Sequence, residues 1–229
     1  MEQITFGLIW YVAFLFSTTC HEAAHAFVAH RLGDSTAHDG GQVTLNPVPH
    51  IRREPLGMVL VPIVSFLAGG WMIGWASAPY DPHWAERYPK RSALMALAGP
   101  GANMVLMVLA GCAIRAGMYA GLFDLADGIT FSQVVVPVHA GLLDGVCILL
   151  SIMFTLNLLL MVFNLLPLPP LDGSGALPLF LSDRQASRYM ELMHQSTFQF
   201  LFLIVAWNAM DYIFAPVYSR ALDLLLLGT

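Results

Sequence analysis

Charged side chains are scarce in this chain of 229 residues. They make up 11% of the sequence and hydrophobic residues make up 57%, whereas a soluble domain has about 25% charged residues. The composition therefore excludes an ordinary soluble domain and predicts an integral membrane protein that crosses the bilayer several times. No polar stretch reaches the roughly 50 residues of a small soluble domain, so we expect one membrane-embedded domain over residues 1–229.

Basic tracts are missing and cysteines are few. The formal net charge is −5, and the scattered Lys and Arg residues argue against nucleic acid as a partner. Cys20, Cys112 and Cys147 all fall in apolar segments, and three such cysteines do not form a disulfide framework. The N-terminal segment lacks the basic region and cleavage site of a signal peptide, so we expect it to be retained.

Long apolar runs divide the chain. Five of them approach or exceed the roughly 20 residues that a helix needs to span a bilayer. The fold class expected is an all-α polytopic integral membrane protein with about five membrane segments, within a range of four to six. A stretch rich in Thr, Gly and Val after the first helix predicts a short irregular or β-hairpin element there. The runs cover about 5–30, 56–79, 93–119, 142–168 and 196–216, with a short apolar tail at 221–227.

The most specific motif lies inside the first apolar run. His21 and His25 are four residues apart, so both imidazoles project from one face of a helix and can bind one Zn²⁺ per chain. Glu22, between them, can act as a general base towards water. The alternative is three polar groups that hydrogen-bond to neighbouring helices. Ionisable residues inside a membrane segment are costly and usually functional, which favours the metal site.

A second polar cluster follows the fourth apolar run. It contains Asn164, Pro167, Pro170, Asp172 and Gly173. Prolines end a helix, and an aspartate after them can turn its carboxylate back towards the membrane interior. An Asp-Gly pair after prolines is also an ordinary turn. Because a catalytic zinc site has three protein ligands and an open position, Asp172 is the candidate for the third ligand.

Together these motifs resemble the site-2 protease family of intramembrane zinc metalloproteases, in its compact bacterial and archaeal form. The segments at 98–103, 33–37 and 44–47 are also similar to that family. We expect no PDZ or CBS domain of the kind found in better-known members, because the apolar runs leave no room for one. We therefore expect a catalytic core at about 5–177 and one or more C-terminal membrane segments at 196–229.

The resemblance implies a function and a set of ligands. It implies an endopeptidase that cleaves a membrane-spanning or membrane-associated regulatory protein by regulated intramembrane proteolysis. His21, His25 and Asp172 would hold the zinc ion, and Glu22 would be the catalytic base. The expected partners are the protein substrate and membrane lipid.

The resemblance also implies secondary roles near the site. Asn164 would belong to the active site, where its amide steadies the oxyanion or the extended substrate backbone. Asn103 is expected to pack helices close to the site. Pro167, Pro170 and Gly173 are expected to shape the same region.

The depth of the ligands constrains the topology. If residues 56–79 crossed the membrane fully, the first and fourth runs would be antiparallel, and the histidines and Asp172 would lie at opposite faces. We therefore predict that 56–79 enters and returns on one side, with Pro62 and the glycines at 69–70 in its middle. Nearly all Lys and Arg residues of the connectors then share the side of the site. The positive-inside rule places that side in the cytoplasm of a cell-membrane protein.

Two other functions remain open at this stage. The same groups could hydrolyse a lipid or a small amide, because a zinc site with a carboxylate base does not itself select the bond. The other is a non-enzymatic membrane protein that binds or transports a metal. Transport requires a further polar path across the bilayer, and outside the cluster the sequence offers only scattered Asn residues and Asp211.

Overall fold

The computed structural model describes residues 2–182, 184–186, 188–189 and 199–227. A two-stranded antiparallel hairpin, β1 (Phe123–Thr130) with β2 (Gln133–Pro137), lies between the sixth and seventh helices. In chain order the helices are α1 (Glu2–Leu32), α2 (Thr36–Asp39), α3 (Pro47–Arg53), α4 (Val61–Gly69), α5 (Pro82–Arg87), α6 (Pro89–Tyr119), α7 (Leu142–Asn164), α8 (Asp172–Ala176) and α9 (Gln199–Leu225). A π-helical turn, Leu56–Leu60, precedes α4, and a 3₁₀ turn, Leu177–Phe180, follows α8.

Four of the described helices are long and apolar enough to cross a membrane, namely α1, α6, α7 and α9. They confirm the prediction of an all-α polytopic membrane protein. The apolar run at 56–79 forms no such helix. Its helical part, Leu56–Gly69, is about 21 Å long at 1.5 Å per residue, which is short of the ~30 Å hydrocarbon core.

Helices α1, α6 and α7 form the packed centre of the molecule. Trp10 and Phe14 of α1 are buried against Ile152 and Leu156 of α7. Because lipid is as apolar as these side chains, the helices associate through close packing and interhelical hydrogen bonds rather than through exclusion of water. The opposite face of α1, with Leu8 and other large apolar residues, is exposed, as expected for a surface that meets lipid.

The segment at 56–79 enters alongside α1 and runs towards the N-terminus of that helix. The Tyr11 hydroxyl donates to the Met58 carbonyl at 3.2 Å, and further along the rings of Phe66 and Phe6 lie 5.9 Å apart. The helix ends at Gly69, and the next residue, Gly70, has a left-handed φ of 77°, a conformation that favours glycine. The segment therefore turns back before it leaves the far side of the helix bundle.

The return arm is extended and ends where the segment began. The Trp75 N–H donates to the Gly57 carbonyl at 3.2 Å. Further on, the Ser77 hydroxyl donates to the Glu54 carboxylate at 2.5 Å. The Asp81 N–H then donates to the Asp34 carboxylate at 3.0 Å, just beyond the C-terminal end of α1. Both ends of the segment thus lie at the same end of α1, which is the course predicted for it.

Of the two alternatives expected after α1, an irregular element or a β-hairpin, the structure has the irregular one. After α1 the chain is irregular and forms the short helices α2 and α3, because the Asn46 side chain caps α3 and Pro47 occupies its first turn, where a proline is tolerated but cannot donate to a strand. The β-hairpin instead occupies the α6–α7 connection. Ser151 of α7 accepts the Val134 N–H at 2.9 Å, and the ring of Phe131 stacks 5.4 Å from Trp10.

The last helix, α9, continues through Pro216 to Leu225. The apolar tail at 221–227 therefore begins within the same helix rather than forming a separate crossing. Arg115, near the end of α6, donates to the carbonyls of Leu225 at 2.9 Å and Leu227 at 2.8 Å. The predicted segment at 196–229 includes residues 196–198 and 228–229, which lie outside the described residues.

This topology predicts which loops share a side of the membrane. Single cysteines replacing Asp39 or His83, in a chain whose three native cysteines are removed, should react with a membrane-impermeant maleimide from the same side. A cysteine replacing Tyr119, which is 97% exposed, should react only from the other side. Labelling of intact and inverted vesicles measures this. Reaction of the His83 variant from the side of Tyr119 would show that 56–79 crosses the membrane.

Candidate metal centre and active-site cleft

His21, His25 and Asp172 meet in the interior of the bundle. The two histidine Nε2 atoms lie 3.0 Å apart. The Asp172 carboxylate places Oδ2 3.0 Å from Nε2 of His21 and Oδ1 3.3 Å from Nε2 of His25. Both histidines are buried. The structure therefore brings together the three side chains that the sequence analysis selected, although Asp172 is far from the histidines along the chain.

The fold-back after α7 carries Asp172 to this position. Helix α7 ends at Asn164, and a run of turns leads to α8, which begins at Asp172 itself. A Cβ atom on Gly173 would collide with the carbonyl oxygens of Leu165 and Leu166. Only glycine lets the segment pack this tightly against the end of α7. Pro167 is exposed, whereas Pro170 lines the cleft beside Asp172.

The outer ring nitrogens of both histidines are held by polar groups of α6. Nδ1 of His25 lies 2.8 Å from the Met95 carbonyl, and Nδ1 of His21 lies 2.6 Å from Oδ1 of Asn103. A carbonyl can only accept, so Nδ1 of His25 carries a proton, and in the neutral ring that binds a metal Nε2 presents the lone pair. Metal-binding histidines are oriented in this way, by a hydrogen bond from the nitrogen that does not bind the metal.

The three groups fit a zinc ion. Ligand atoms at the corners of a tetrahedron with bonds of about 2.0–2.1 Å stand about 3.3 Å apart, close to the distances found between these nitrogens and oxygens. Oδ2 of Asp172 is buried, and although it lies 3.0 Å from Nε2 of His21 it forms no hydrogen bond of acceptable geometry with any described residue. A Cβ atom on Gly99 would collide with Nε2 of both histidines, so this glycine keeps the space between the ligands and α6 open.

Glu22 lies at the wall of a cleft beside these ligands. Its side chain is buried with only 7% exposure, and it lines a cleft of about 310 Å³. The return arm of the 56–79 segment forms another wall of that cleft. The lining residues include Glu22, His25, Ala76, Ser77, Ala78, Tyr80, Met95, Pro170, Asp172 and Tyr189.

Two phenols on the cleft wall were not singled out by the sequence analysis. Burial raises the pKa of Tyr80 and of Tyr189, so both remain neutral hydrogen-bond donors. The Tyr189 hydroxyl donates to the Ser174 carbonyl at 2.9 Å and so ties the chain beyond α8 to the cleft. Neither tyrosine belongs to a sequence motif with a defined spacing. The one signal for Tyr80 is that residues 71–88 are rich in aromatic side chains.

The two candidate asparagines have different surroundings. The Asn164 amide donates to the Leu160 carbonyl one turn earlier in α7, at 3.0 Å, and Asn164 is not among the described residues that line the cleft. Asn103 is fully buried and touches His21 directly. The structure therefore brings Asn103, and not Asn164, into contact with the metal centre.

Comparison with known proteins agrees with this geometry. Residues 9–205 match the model of peptidase family M50. "Putative zinc metalloprotease YwhC" of Bacillus subtilis is 34% identical over 163 residues, covering 71% of this chain and 64% of that protein.

Mycobacterial relatives match the same share of the chain. "Putative zinc metalloprotease Rip2" of Mycolicibacterium smegmatis is 32% identical over 71% of this chain and 53% of that protein. The protein of the same name from Mycobacterium tuberculosis is 35% identical with the same coverage. The chain thus spans between about half and two thirds of the length of these curated relatives. No solved structure matches it.

The space at Gly99 predicts the effect of adding one methyl group. Gly99→Ala should lower the unfolding free energy by about 1–3 kcal/mol, as overpacking does, and should abolish zinc binding. Gly101→Ala is the matched control, because a Cβ there meets nothing within 4 Å and alanine favours a helix by up to about 1 kcal/mol. Thermal unfolding and zinc content of the purified proteins measure both effects. Equal behaviour of the two variants would contradict the close packing at Gly99.

Proposed function

This chain belongs to peptidase family M50, and on that premise we propose that it is a zinc endopeptidase acting on a membrane-spanning or membrane-associated protein. One observation carries the proposal: His21, His25 and Asp172 converge beside Glu22, and the histidines lie on α1, which is long and apolar enough to cross a membrane. At 1.5 Å per residue, His21 lies about 16 Å inside the C-terminal end of α1. The bond to be hydrolysed would therefore be reached within the thickness of the membrane.

In this proposal Nε2 of His21, Nε2 of His25 and the Asp172 carboxylate would hold one Zn²⁺. When bound, zinc would polarise a substrate carbonyl and make water more acidic. The buried carboxylate of Glu22 faces the same cleft. Glu22 accepts the proton of the attacking water and then delivers it to the leaving amine, which is general acid–base catalysis by one group.

The return arm of the 56–79 segment provides a way to hold the substrate. It is extended where it lines the cleft, and the backbone N–H groups of Ala76, Ser77 and Ala78 make no hydrogen bond to any described residue. A helical substrate hides its peptide bonds in its own hydrogen-bond ladder. Pairing of an unwound stretch with this edge would expose one of them. Such an edge favours a peptide over a lipid or a small amide as substrate.

A second cavity supports a substrate that arrives from the membrane. It measures about 840 Å³ and is enclosed mainly by apolar side chains of α1, α7 and α9. Residues 70–74 of the return arm form part of its wall, and the next residues of the same arm line the catalytic cleft. A membrane-borne segment in this cavity would lie next to the edge on which it is to unwind.

The distribution of positive charge supports a cytoplasmic cleft. Only Arg115 and Arg220 lie near the ends of α6 and α9 that are remote from the metal centre. Basic residues are enriched in cytoplasmic connectors, so the cleft would open towards the cytoplasm. The other eight Lys and Arg residues lie in the connectors, or near the ends of the long helices, on the side of the metal centre: Arg31, Arg52, Arg53, Arg87, Lys90, Arg91, Arg184 and Arg188.

Zinc content tests the ligand set. Purified wild-type protein in detergent should contain about one zinc per chain, and Asp172→Ala should lose most of it, because a two-histidine site lacks its third protein ligand. Elemental analysis against protein concentration measures this. Asp127→Ala, at an exposed position of β1, is the control and should keep its zinc. Full retention by the Asp172 variant would remove that residue from the site.

Glu22→Gln separates the base from the ligands. The variant should keep its zinc, because Glu22 is not one of the three converging groups. It should cleave a tagged single-span reporter protein about 10²- to 10⁴-fold more slowly, the usual effect of losing a general base. Undiminished cleavage would exclude the assigned role.

The same inactive variant tests the proposed binding edge. A photo-crosslinking amino acid at Ala78 of the Glu22→Gln protein should capture the reporter, because an uncleaved substrate stays paired with the return arm. Crosslinking from an equivalent probe at exposed Leu142 should be absent. Equal capture at both positions would mean that the edge does not bind substrate.

A further inference from the structure

Three buried polar side chains form a hydrogen-bonded chain that ends on His21. They are Ser17 of α1, Asn103 of α6 and Asn157 of α7, each with 0% exposure. The Asn157 amide lies 2.9 Å from the Ser17 hydroxyl and 2.8 Å from the Asn103 amide. The Asn103 amide lies 2.6 Å from Nδ1 of His21. This series of hydrogen bonds thus connects α1, α6 and α7 and ends at His21, one of the candidate metal ligands.

The direction of these hydrogen bonds is fixed at the Asn157 end. One side of the Asn157 amide lies 2.8 Å from the Met153 carbonyl, which can only accept. The atom that faces Met153 must therefore be the amide nitrogen. The amide oxygen of Asn157 then faces Asn103, and it can only receive a hydrogen bond from the Asn103 nitrogen.

The same direction continues to the histidine ring. Because the Asn103 nitrogen donates to Asn157, the Asn103 oxygen faces His21 and must accept. Nδ1 of His21 therefore carries a proton, and in the neutral ring that binds a cation Nε2 carries the lone pair, close to Asp172 and His25. The Met153 carbonyl of α7 thus determines, through Asn157 and Asn103, which nitrogen of His21 is free to bind a cation.

We propose that Asn103 and Asn157 are positioning residues that hold His21 in the tautomer and ring orientation required for zinc. The Met95 carbonyl fixes the tautomer and ring orientation of His25 directly. For His21 the task falls to two side chains in series, so the effect of Asn157 on the direction of the Nδ1 hydrogen bond passes through Asn103. The proposal rests on the zinc site described above, but on neither the substrate nor the reaction.

A simpler role for these amides is to join the helices. Interhelical hydrogen bonds in membrane proteins contribute about 0.6 kcal/mol on average, and that contribution would exist whichever way each amide pointed. The two roles differ in one respect. A joining role affects the protein irrespective of the group at position 103, whereas orientation of His21 by Asn157 requires an amide at 103 that can rotate.

A double-mutant comparison separates these roles. Asn157→Leu removes the group that fixes the Asn103 amide. Asn103→Asp removes the difference between the two side-chain atoms that can face His21, because either carboxylate oxygen accepts from Nδ1. Zinc affinity of the purified full chain is measured by competition with a chelator for wild type, both single variants and the double variant. Ser151→Ala is the control, since this buried hydroxyl of α7 binds β2 and not the metal centre.

We expect Asn157→Leu to weaken zinc binding roughly tenfold or more, the usual effect of losing a group that orients a ligand. In the Asn103→Asp background the same substitution should change the affinity less than threefold. Ser151→Ala should bind zinc as wild type does, even where its thermal stability falls. If the leucine variant does not fold, Asn157→Ala provides the same comparison with a smaller side chain.

Two results would overturn the proposal. An equal loss of affinity in both backgrounds would assign Asn157 a joining role only, and no loss in either would mean that it does not act on the metal. In both cases wild-type zinc binding, and with it the proposed function, would stand. Failure of the wild-type chain itself to bind zinc would overturn the two together.

Discussion

The low polarity of the bilayer interior is the constraint on which this structure depends. An ionisable side chain at the centre of a membrane helix costs roughly 2.5–3.5 kcal/mol even by the mildest scale. This chain places two imidazoles and two carboxylates at that depth, and each has a polar environment. The histidines bond through Nδ1 to α6, the Asp172 carboxylate lies against both Nε2 atoms, and Glu22 borders a cleft. The three central helices are arranged around these contacts.

The re-entrant segment at 56–79 both forms part of the cleft and sets the direction of the later helices. It brings extended backbone and a cleft to the metal centre without adding a crossing, so α1 and α7 run in the same direction and Asp172 emerges beside the histidines. Glycines make this packing possible: a Cβ atom on Gly57 would collide with the Trp75 carbonyl, and one on Gly74 would collide with the Gly57 carbonyl. The two arms are therefore in backbone contact. Non-helical backbone at this depth is tolerated because protein and cleft surround it.

Much of the site could be predicted from the sequence, because its ligands follow from spacing along one helix and from the number of ligands that zinc requires. The spacing of His21 and His25 follows from helix geometry, Asp172 follows from the need for a third ligand, and the course of 56–79 follows from bringing those ligands to one depth. The partnership of Asn103 with Asn157 depends instead on how closely α6 and α7 approach. No spacing along one helix encodes that distance. The same limit explains why Asn164 resembled a site residue although its amide bonds within α7.

The hairpin between α6 and α7 depends on its neighbours for protection from lipid. Its Val134 N–H bonds to Ser151, which lies about 14 Å along α7 from the beginning of that helix. Its Phe131 stacks on Trp10 of α1, and Trp10 belongs to the same packed cluster as Met72 of the 56–79 segment. Non-helical backbone at membrane depth is tolerated only where protein or a water-filled cavity surrounds it. Loss of this packing would therefore expose the outer N–H and C=O groups of the two strands to acyl chains.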